Sequence, residues 1–204
     1  TNATVSATGG AFANLAGAPK AELAVVCSNV ALLLNVDGGT LTTDGFYASD
    51  VADYTNWTTG EAINLRLIQT PGPILAAVTY GDAVYALKQG SIYRLRYVGG
   101  TPKWATEVVS RHVGLARSSA VTTTMKYAAV ACAQGIAFIS AIDATGKGMT
   151  VSFFDGTNPP LTLNPEEYLP PPEAAPMLYY SAQDDMLVIS DSTSTAPQYF
   201  YHFG

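Results

Sequence analysis

One pattern occurs four times along the chain and constrains the fold more than any other feature. Each copy is an apolar run, a short polar turn and a second apolar run, at residues 23–34, 84–95, 129–140 and 178–189. The turns contain Asn, Gly or Asp, which tolerate the backbone conformations that tight hairpins require. Each copy therefore predicts a β-hairpin, and the hairpin recurs at intervals of about 45 to 60 residues.

A hairpin that recurs at this interval favours a radial array of small sheets, a β-propeller. We expect an all-β fold: a β-propeller-like array of about four to five short antiparallel blades over residues 23–204, preceded by an N-terminal arm at 1–22. The apolar hairpins should form the inner pair of each blade, and weaker strands such as 62–67, 104–109 and 149–154 the outer pair. An irregular β-sandwich remains the alternative, since four similar hairpins fit both architectures.

Composition narrows the class of protein further. The chain is 13% charged and 48% hydrophobic, which excludes a disordered chain and argues against a coiled coil. Seven prolines between residues 158 and 176 predict an extended excursion, because proline cannot donate to a strand ladder. The net charge of -6 argues against binding DNA through its phosphates, and no apolar stretch is long enough to predict a membrane partner.

The residues that usually carry metal or cofactor chemistry are sparse. His112 and His202 are the two histidines, with no cysteine or carboxylate at metal-ligand spacing from either. Cys27 and Cys132 both lie in apolar runs, which is typical of small buried side chains. Phosphate-loop, dinucleotide and nucleophile-elbow motifs are missing from the sequence. We therefore predict no metal, no cofactor and no enzymatic activity.

Two groups of residues keep other functions open. Asp50 and Asp53 could supply the acid and base of a propeller glycoside hydrolase, which needs two carboxyl groups across a sugar. Trp57 and Trp104, together with tyrosines, could stack on sugars in a carbohydrate-binding propeller. The architectural interpretation of these residues is simpler. Asp50 and Asp53, with Ser49, would bond local backbone amides, and the tryptophans would fill the space behind a blade.

The C-terminal aromatic residues are candidates for an interface. Tyr199, Phe200, Tyr201 and Phe203 crowd the last residues of the chain. Tyr and Phe are enriched in protein–protein contacts, although packing within a strand would explain alternate rings equally well. We expect this strand either to close the array against its first blade or to contact a neighbouring subunit.

A series of landmarks between residues 23 and 140 carries a resemblance. A Ser-Asp pair at 49–50 is followed by Asp53 and Trp57, then by a Thr-Pro-Gly turn at 70–72 and the hairpin at 84–95. Trp104, a Val-Gly pair at 113–114 and the hairpin segment 135–138 complete the order. This order resembles the β-propeller virion proteins of tailed bacteriophages, namely the head-closure (packaged-DNA stabilisation) and tail-nozzle proteins of short-tailed phages.

The resemblance implies a structural protein of the virion, assembled in the cytoplasm of the bacterial host. Its partners would be further copies of itself in a ring, six by resemblance, and head–tail proteins such as the portal, adaptor or nozzle. The ring would line or seal the DNA exit path, and DNA would pass without specific binding. An acidic lumen would repel the phosphates, whereas a cluster of Lys88, Arg94, Arg96 and Lys103 facing the lumen would oppose this hypothesis.

Overall fold

The fold is all-β, as predicted, and the described elements are all strands. The computed structural model describes residues 4–5, 12–13, 17–36, 42–115, 121–124, 127–132, 135–140, 151–153, 176–191 and 199–202. Within these ranges no helix is long and apolar enough to cross a membrane. The strands form small antiparallel sheets of two to four strands, each built from consecutive segments of the chain.

Four of these sheets follow one another along the chain. Sheet 1 contains β3 (Ala21–Cys27), β4 (Val30–Val36), β5 (Gly45–Ala48) and β6 (Ile63–Arg66). Sheet 2 contains β7 (Ile74–Tyr80), β8 (Ala83–Lys88), β9 (Ile92–Tyr97) and β10 (Trp104–Ser110). Sheet 3 contains β11 (Val121–Thr123), β12 (Tyr127–Cys132), β13 (Gly135–Ser140) and β14 (Val151–Phe153). Sheet 4 contains β15 (Pro176–Ser181), β16 (Met186–Asp191) and β17 (Tyr199–His202). In every sheet, each strand pairs with the one before it in the sequence.

All four predicted hairpins are present, but they do not occupy equivalent places. The hairpins at 23–34 and 178–189 are the first and second strands of sheets 1 and 4, whereas those at 84–95 and 129–140 are the second and third strands of sheets 2 and 3. The expectation that each hairpin forms the inner pair of a blade is therefore wrong for sheets 2 and 3. The segments expected to be outer strands do end their sheets, as β6, β10 and β14.

The sheets contact one another in chain order through their first strands. β3 contacts β7, β7 contacts β11, and β11 contacts β15. β3 and β7 run in the same direction. Near the end of both strands, the Thr79 hydroxyl donates to the Val26 carbonyl (3.2 Å). At the start of β7, the Ile74 amide donates to the carbonyl of Thr43 in the connection after β4 (2.9 Å), and the end of β4 pairs with the start of β3 through Val36 and Ala21. The first strands therefore lie side by side, and the later strands extend away from them.

The hydrophobic core lies between consecutive sheets in two clusters. The first joins sheet 1 to sheet 2 and includes Leu32, Leu34, Phe46, Tyr93, Leu95 and Trp104. The second joins sheets 2, 3 and 4 and includes Tyr85, Leu87, Val130, Phe138, Leu187 and Ile189. Sheet 3 contributes neighbouring residues of the same strand to this second cluster, so both of its faces are covered. Its alanine-rich β12 suits a strand that is packed on both sides.

Three predicted segments are described only in part or not at all: the N-terminal arm, the proline-rich excursion and the last residues of the chain. Residues 1–22 were expected to form an arm; within it β1 (Thr4–Val5) pairs with β2 (Phe12–Ala13), and β3 already begins at Ala21. The proline-rich excursion at 158–176 lies outside the described residues, apart from Pro176 at the start of β15. Phe203 also lies outside them.

Candidate functional site

The loop between β5 and β6, residues 49–62, contains most of the sequence landmarks; we call it the aspartate loop. Ser49 begins it and is fully buried. Its amide donates to the Ala31 carbonyl (2.9 Å), and its hydroxyl accepts from the Ala31 amide (3.0 Å) and donates to the Asp50 carbonyl (2.9 Å). The side chain thus extends the pairing with β4 by one residue and directs the chain into the loop.

Asp50 is the hydrogen-bonding centre of the aspartate loop. Its carboxylate accepts from the amides of Val51 (2.9 Å) and Glu61 (2.8 Å) and from the Asn56 side chain (3.2 Å). Gly60 crosses directly over it at φ 63°, where a Cβ atom would lie 2.3 Å from Asp50 Oδ2. One carboxylate therefore joins the two ends of the loop, and its oxygens are occupied by donors from the loop itself.

Asp53 is exposed and bonds to a different part of the loop. Its carboxylate accepts from the amide (3.0 Å) and the hydroxyl (2.6 Å) of Thr55. These bonds hold the pKa of Asp53 below its ordinary value, the hydroxyl bond having the largest effect. Asp50 and Asp53 are joined through a backbone bridge. As placed here, each carboxylate stabilises a turn.

The two tryptophans are buried, so neither offers an open ring face for a sugar. Trp104 packs edge-on against Phe46 of sheet 1 (6.2 Å between ring centroids) and against Tyr97 of its own sheet (5.7 Å). Trp57 is enclosed at the aspartate loop, and neither indole N–H has a hydrogen-bond partner among the described residues. Both rings contribute apolar packing area, as the architectural interpretation expects.

A buried lysine is the feature that sequence reasoning missed. Lys88, at the end of β8, is fully buried, and its Nζ donates to the carbonyls of Leu67 (2.7 Å) and Thr70 (2.9 Å). Nζ also lies 5.4 Å from the centre of the Tyr93 ring. These two carbonyls belong to the connection between sheets 1 and 2. Burial lowers the pKa of Lys88, while the charge of Asp44 opposes that effect.

Further polar groups surround the lysine and fix the same connection. The Thr70 hydroxyl is within hydrogen-bond distance of the Ser91 hydroxyl (2.6 Å) and bonds to the Tyr93 hydroxyl (2.9 Å). The glycine of the Val-Gly landmark, Gly114, is explained by lack of space, because a Cβ there would lie 2.4 Å from the Lys88 carbonyl. These residues form a lysine clamp, defined as Lys88, Thr70, Ser91 and Tyr93, between sheet 2 and the preceding connection.

The four cations that sequence reasoning grouped do not gather on one surface. Lys88 is enclosed in the lysine clamp. Arg94 is buried and pairs with Asp82 (3.2 Å) and, more distantly, with Glu107 (3.9 Å). Arg96 is exposed on β9, and the Lys103 ammonium donates to a backbone carbonyl of the aspartate loop.

The described residues hold no group of three or more His, Cys, Asp or Glu side chains that could bind a metal ion. Cys27 and Cys132 are buried, as expected, and neither forms a disulfide. Three of the four C-terminal interface candidates, Tyr199, Phe200 and Tyr201, lie in β17, where Tyr199 pairs with Ile189 and Tyr201 with Leu187 along the β16 backbone.

Comparison of the sequence with protein-family models and with curated proteins gives no match.

Proposed function

We propose that the chain is a structural, non-enzymatic β-propeller subunit of a tailed-bacteriophage particle. Its copies would form a ring at the head-to-tail junction or the tail nozzle, in contact with portal, adaptor or nozzle proteins. The ring would line or seal the path by which DNA leaves the head. Its mechanism is assembly: rigid sheets hold loops and faces in fixed positions for neighbouring subunits.

The serial contact of the first strands is the observation that carries this proposal. In a β-propeller, each blade is an antiparallel meander of four strands, and the first strands surround a common axis. The series β3, β7, β11 and β15 has the order that this architecture requires. A β-sandwich divides its strands between two facing sheets, whereas here each sheet is built from strands that are consecutive in the sequence. This arrangement supports the propeller and, through it, the resemblance to virion proteins.

The bonding of the aspartate loop favours an architectural role over a catalytic one. A general acid or base needs a carboxyl group that can exchange a proton with a substrate. The Asp50 carboxylate is instead held by three donors from its own loop, and the Asp53 carboxylate is held by Thr55. A rigid loop between two strands is what a subunit needs when that loop must meet the same partner in every copy.

The distribution of charge supports a path along which DNA slides. The chain carries a net charge of -6, and two of its cations, Lys88 and Arg94, are buried among protein partners. Buried cations contribute little to an attractive field at the surface. A ring of such subunits would present DNA with an acidic or neutral wall, which does not retain phosphates.

Native mass spectrometry combined with negative-stain imaging of the purified full chain tests the proposal. We expect a closed ring of defined copy number with an open centre, since heterologous contacts that close by rotation produce rings. A chain that stays monomeric at every concentration, or that forms compact particles without an open centre, would contradict the proposal.

A further inference from the structure

The two sheets at the ends of the series each have one apolar face that the neighbouring sheet does not cover. On sheet 1 this face includes Ala24 and Val26, and the Val26 side chain is 55% exposed. On sheet 4 it includes Met177 and Tyr179, which are 47% and 63% exposed. We call these the sheet 1 outer face and the sheet 4 outer face. Large exposed apolar side chains gathered on one face are a common sign of an interaction surface.

The sheet 1 outer face matches a face that is already used for docking inside the molecule. When the first hairpins of sheets 1 and 2 are aligned by their turns, Leu33 and Tyr47 take the places of Ala86 and Tyr93. Leu33 pairs across the sheet with Tyr47, just as Ala86 pairs with Tyr93. Ala86 and Tyr93 are buried against sheet 1. Leu33 is itself buried, so the exposed part of this matching face is Ala24 and Val26, which take the places of Ala77 and Thr79 in β7.

The sheet 4 outer face matches the opposite partner of that contact. The pair Tyr179 and Val188 takes the place of Val25 and Leu32 in sheet 1. Val25 and Leu32 belong to the cluster that packs against sheet 2. Sheet 4 thus presents outward the kind of face on which a following sheet would pack. By register, the two outer faces correspond to the two sides of the contact between sheets 1 and 2.

The extensive contacts of the two end sheets are with the neighbouring sheets along the chain: β15 contacts β11 and β12, while β3 contacts β7 and β8. Val26 and Tyr179 remain exposed within one chain. A second copy of the chain carries both complementary faces, in the arrangement that the internal contact between sheets 1 and 2 already uses.

We propose that copies of the chain associate head-to-tail, with the sheet 4 outer face of one copy packed on the sheet 1 outer face of the next. This inference identifies the contact by which the ring of the proposed function would form, and it rests on that function for the closure of the ring. Because the two faces differ, the contact is heterologous, so a chain of copies grows until rotation closes it. Each copy would bury Val26 and Tyr179 in two separate interfaces.

Two charge substitutions and a mixing experiment test the head-to-tail contact. Val26→Glu places a carboxylate on the sheet 1 outer face, and Tyr179→Glu places one on the sheet 4 outer face. Ile68→Glu is the matched control, because Ile68 is 71% exposed but lies in the connection between sheets 1 and 2. Circular dichroism establishes that each full-length variant keeps the fold, and light scattering after size exclusion gives its mass.

The unmodified chain and Ile68→Glu should form the same oligomer, whereas Val26→Glu and Tyr179→Glu should each be monomeric. An equimolar mixture of the two monomers should give a heterodimer, because each variant keeps the face that the other has lost. No heterodimer from the mixture, or oligomers that survive both substitutions, would overturn the inference. A ring that survives both substitutions would leave the proposed function intact and overturn the head-to-tail contact. Head-to-tail dimers or filaments that never close into a ring would support the contact and contradict the ring of the proposed function.

Discussion

Replacement of Lys88 by methionine tests whether the lysine clamp stabilises the contact between sheet 2 and the connection before it. Methionine keeps an unbranched side chain of similar length but cannot donate a hydrogen bond. The Thr70 carbonyl would lose its donor in a buried place, whereas the Leu67 carbonyl would keep its bond from the Tyr93 hydroxyl (3.3 Å). A buried carbonyl left without a partner costs about 1 to 3 kcal/mol.

Part of this cost is offset, because the variant no longer buries an ammonium group. Burying a charge costs several kcal/mol, and removing the charged group avoids that penalty. We therefore expect Lys88→Met to lower the free energy of unfolding by about 1 to 2 kcal/mol, in the lower part of the range for one unpaired carbonyl. Arg96→Met is the control at an exposed cation, with an expected change within about 0.5 kcal/mol.

Urea unfolding followed by tryptophan fluorescence is a suitable assay, because both tryptophans are buried in the folded chain. With a denaturant slope of about 2 kcal/mol/M, the midpoint should fall by about 0.5 to 1 M in Lys88→Met. A midpoint equal to that of the unmodified chain would refute the clamp as a source of stability.

The burial of Lys88 also predicts how the stability of the fold depends on pH. Burial lowers the folded-state pKa of Lys88 below 10.5, so between the two values the unfolded chain binds more protons than the folded chain. Stability contributed by Lys88 therefore rises with pH until 10.5, and the difference between the unmodified chain and Lys88→Met should grow over that window. A difference that shrinks as the pH rises would contradict the burial of a titrating lysine.

Three other substitutions have separate expected outcomes. Gly60→Ala should destabilise the fold by about 2 to 4 kcal/mol, because its Cβ would meet the Asp50 carboxylate at a positive φ. Gly81→Ala is the control, since Gly81 has a similar φ in open space; it should cost only about 1 kcal/mol in the same urea assay. Burial raises the folded-state pKa of Tyr85 to about 12, so only the unfolded chain ionises between pH 10 and 12 and the fold loses stability there. Tyr85→Phe should remove part of this loss. Equal alkaline unfolding transitions for the variant and the unmodified chain would argue against this. The hydrogen bond from Arg66 lowers the folded-state pKa of Asp44 to about 2. Asp44→Asn should therefore cost about 1 kcal/mol at neutral pH and less as the pH falls from 3.8 towards 2. Thermal unfolding measured across this acid range checks the prediction.

The sequence predicted the hairpins because their signals are local. Ser28 and Asn29 have φ values of 52° and 57°, as a two-residue turn between twisted strands requires. Composition around such turns therefore reports the hairpin without knowledge of distant contacts. The bonding pattern of the aspartate loop is local for the same reason, since Asp50 and its donors lie within a dozen residues.

The place of each hairpin within its sheet could not be predicted in this way. β7 is an apolar strand that the hairpin pattern passed over, because its turn into β8 contains Gly81 and Asp82 and the more conspicuous turn lies one strand later. Strand order depends on which apolar faces pack together, and that is decided between sheets. The true first strands begin at Ala21, Ile74, Val121 and Pro176, roughly 50 residues apart and more evenly than the hairpins suggested.

The burial of Lys88 was also beyond sequence reasoning. A lysine at the end of a strand, next to a Gln-Gly turn, is typical of a solvated position. Its two acceptors are backbone carbonyls, which carry no side-chain signal, and they belong to a connection about 20 residues away. Such partners become visible only when the sheets are in place.

In the proposed arrangement, four consecutive sheets form blades whose first strands surround an axis, and the sheet 1 and sheet 4 outer faces join neighbouring copies. An electron-cryomicroscopy map of the purified, assembled chain would show both features at once. We expect a closed ring in which β3, β7, β11 and β15 converge within each subunit and the sheet 4 outer face of one copy covers Val26 of the next. A map with the sheets stacked as two facing layers, or with the two outer faces exposed in the assembly, would contradict it.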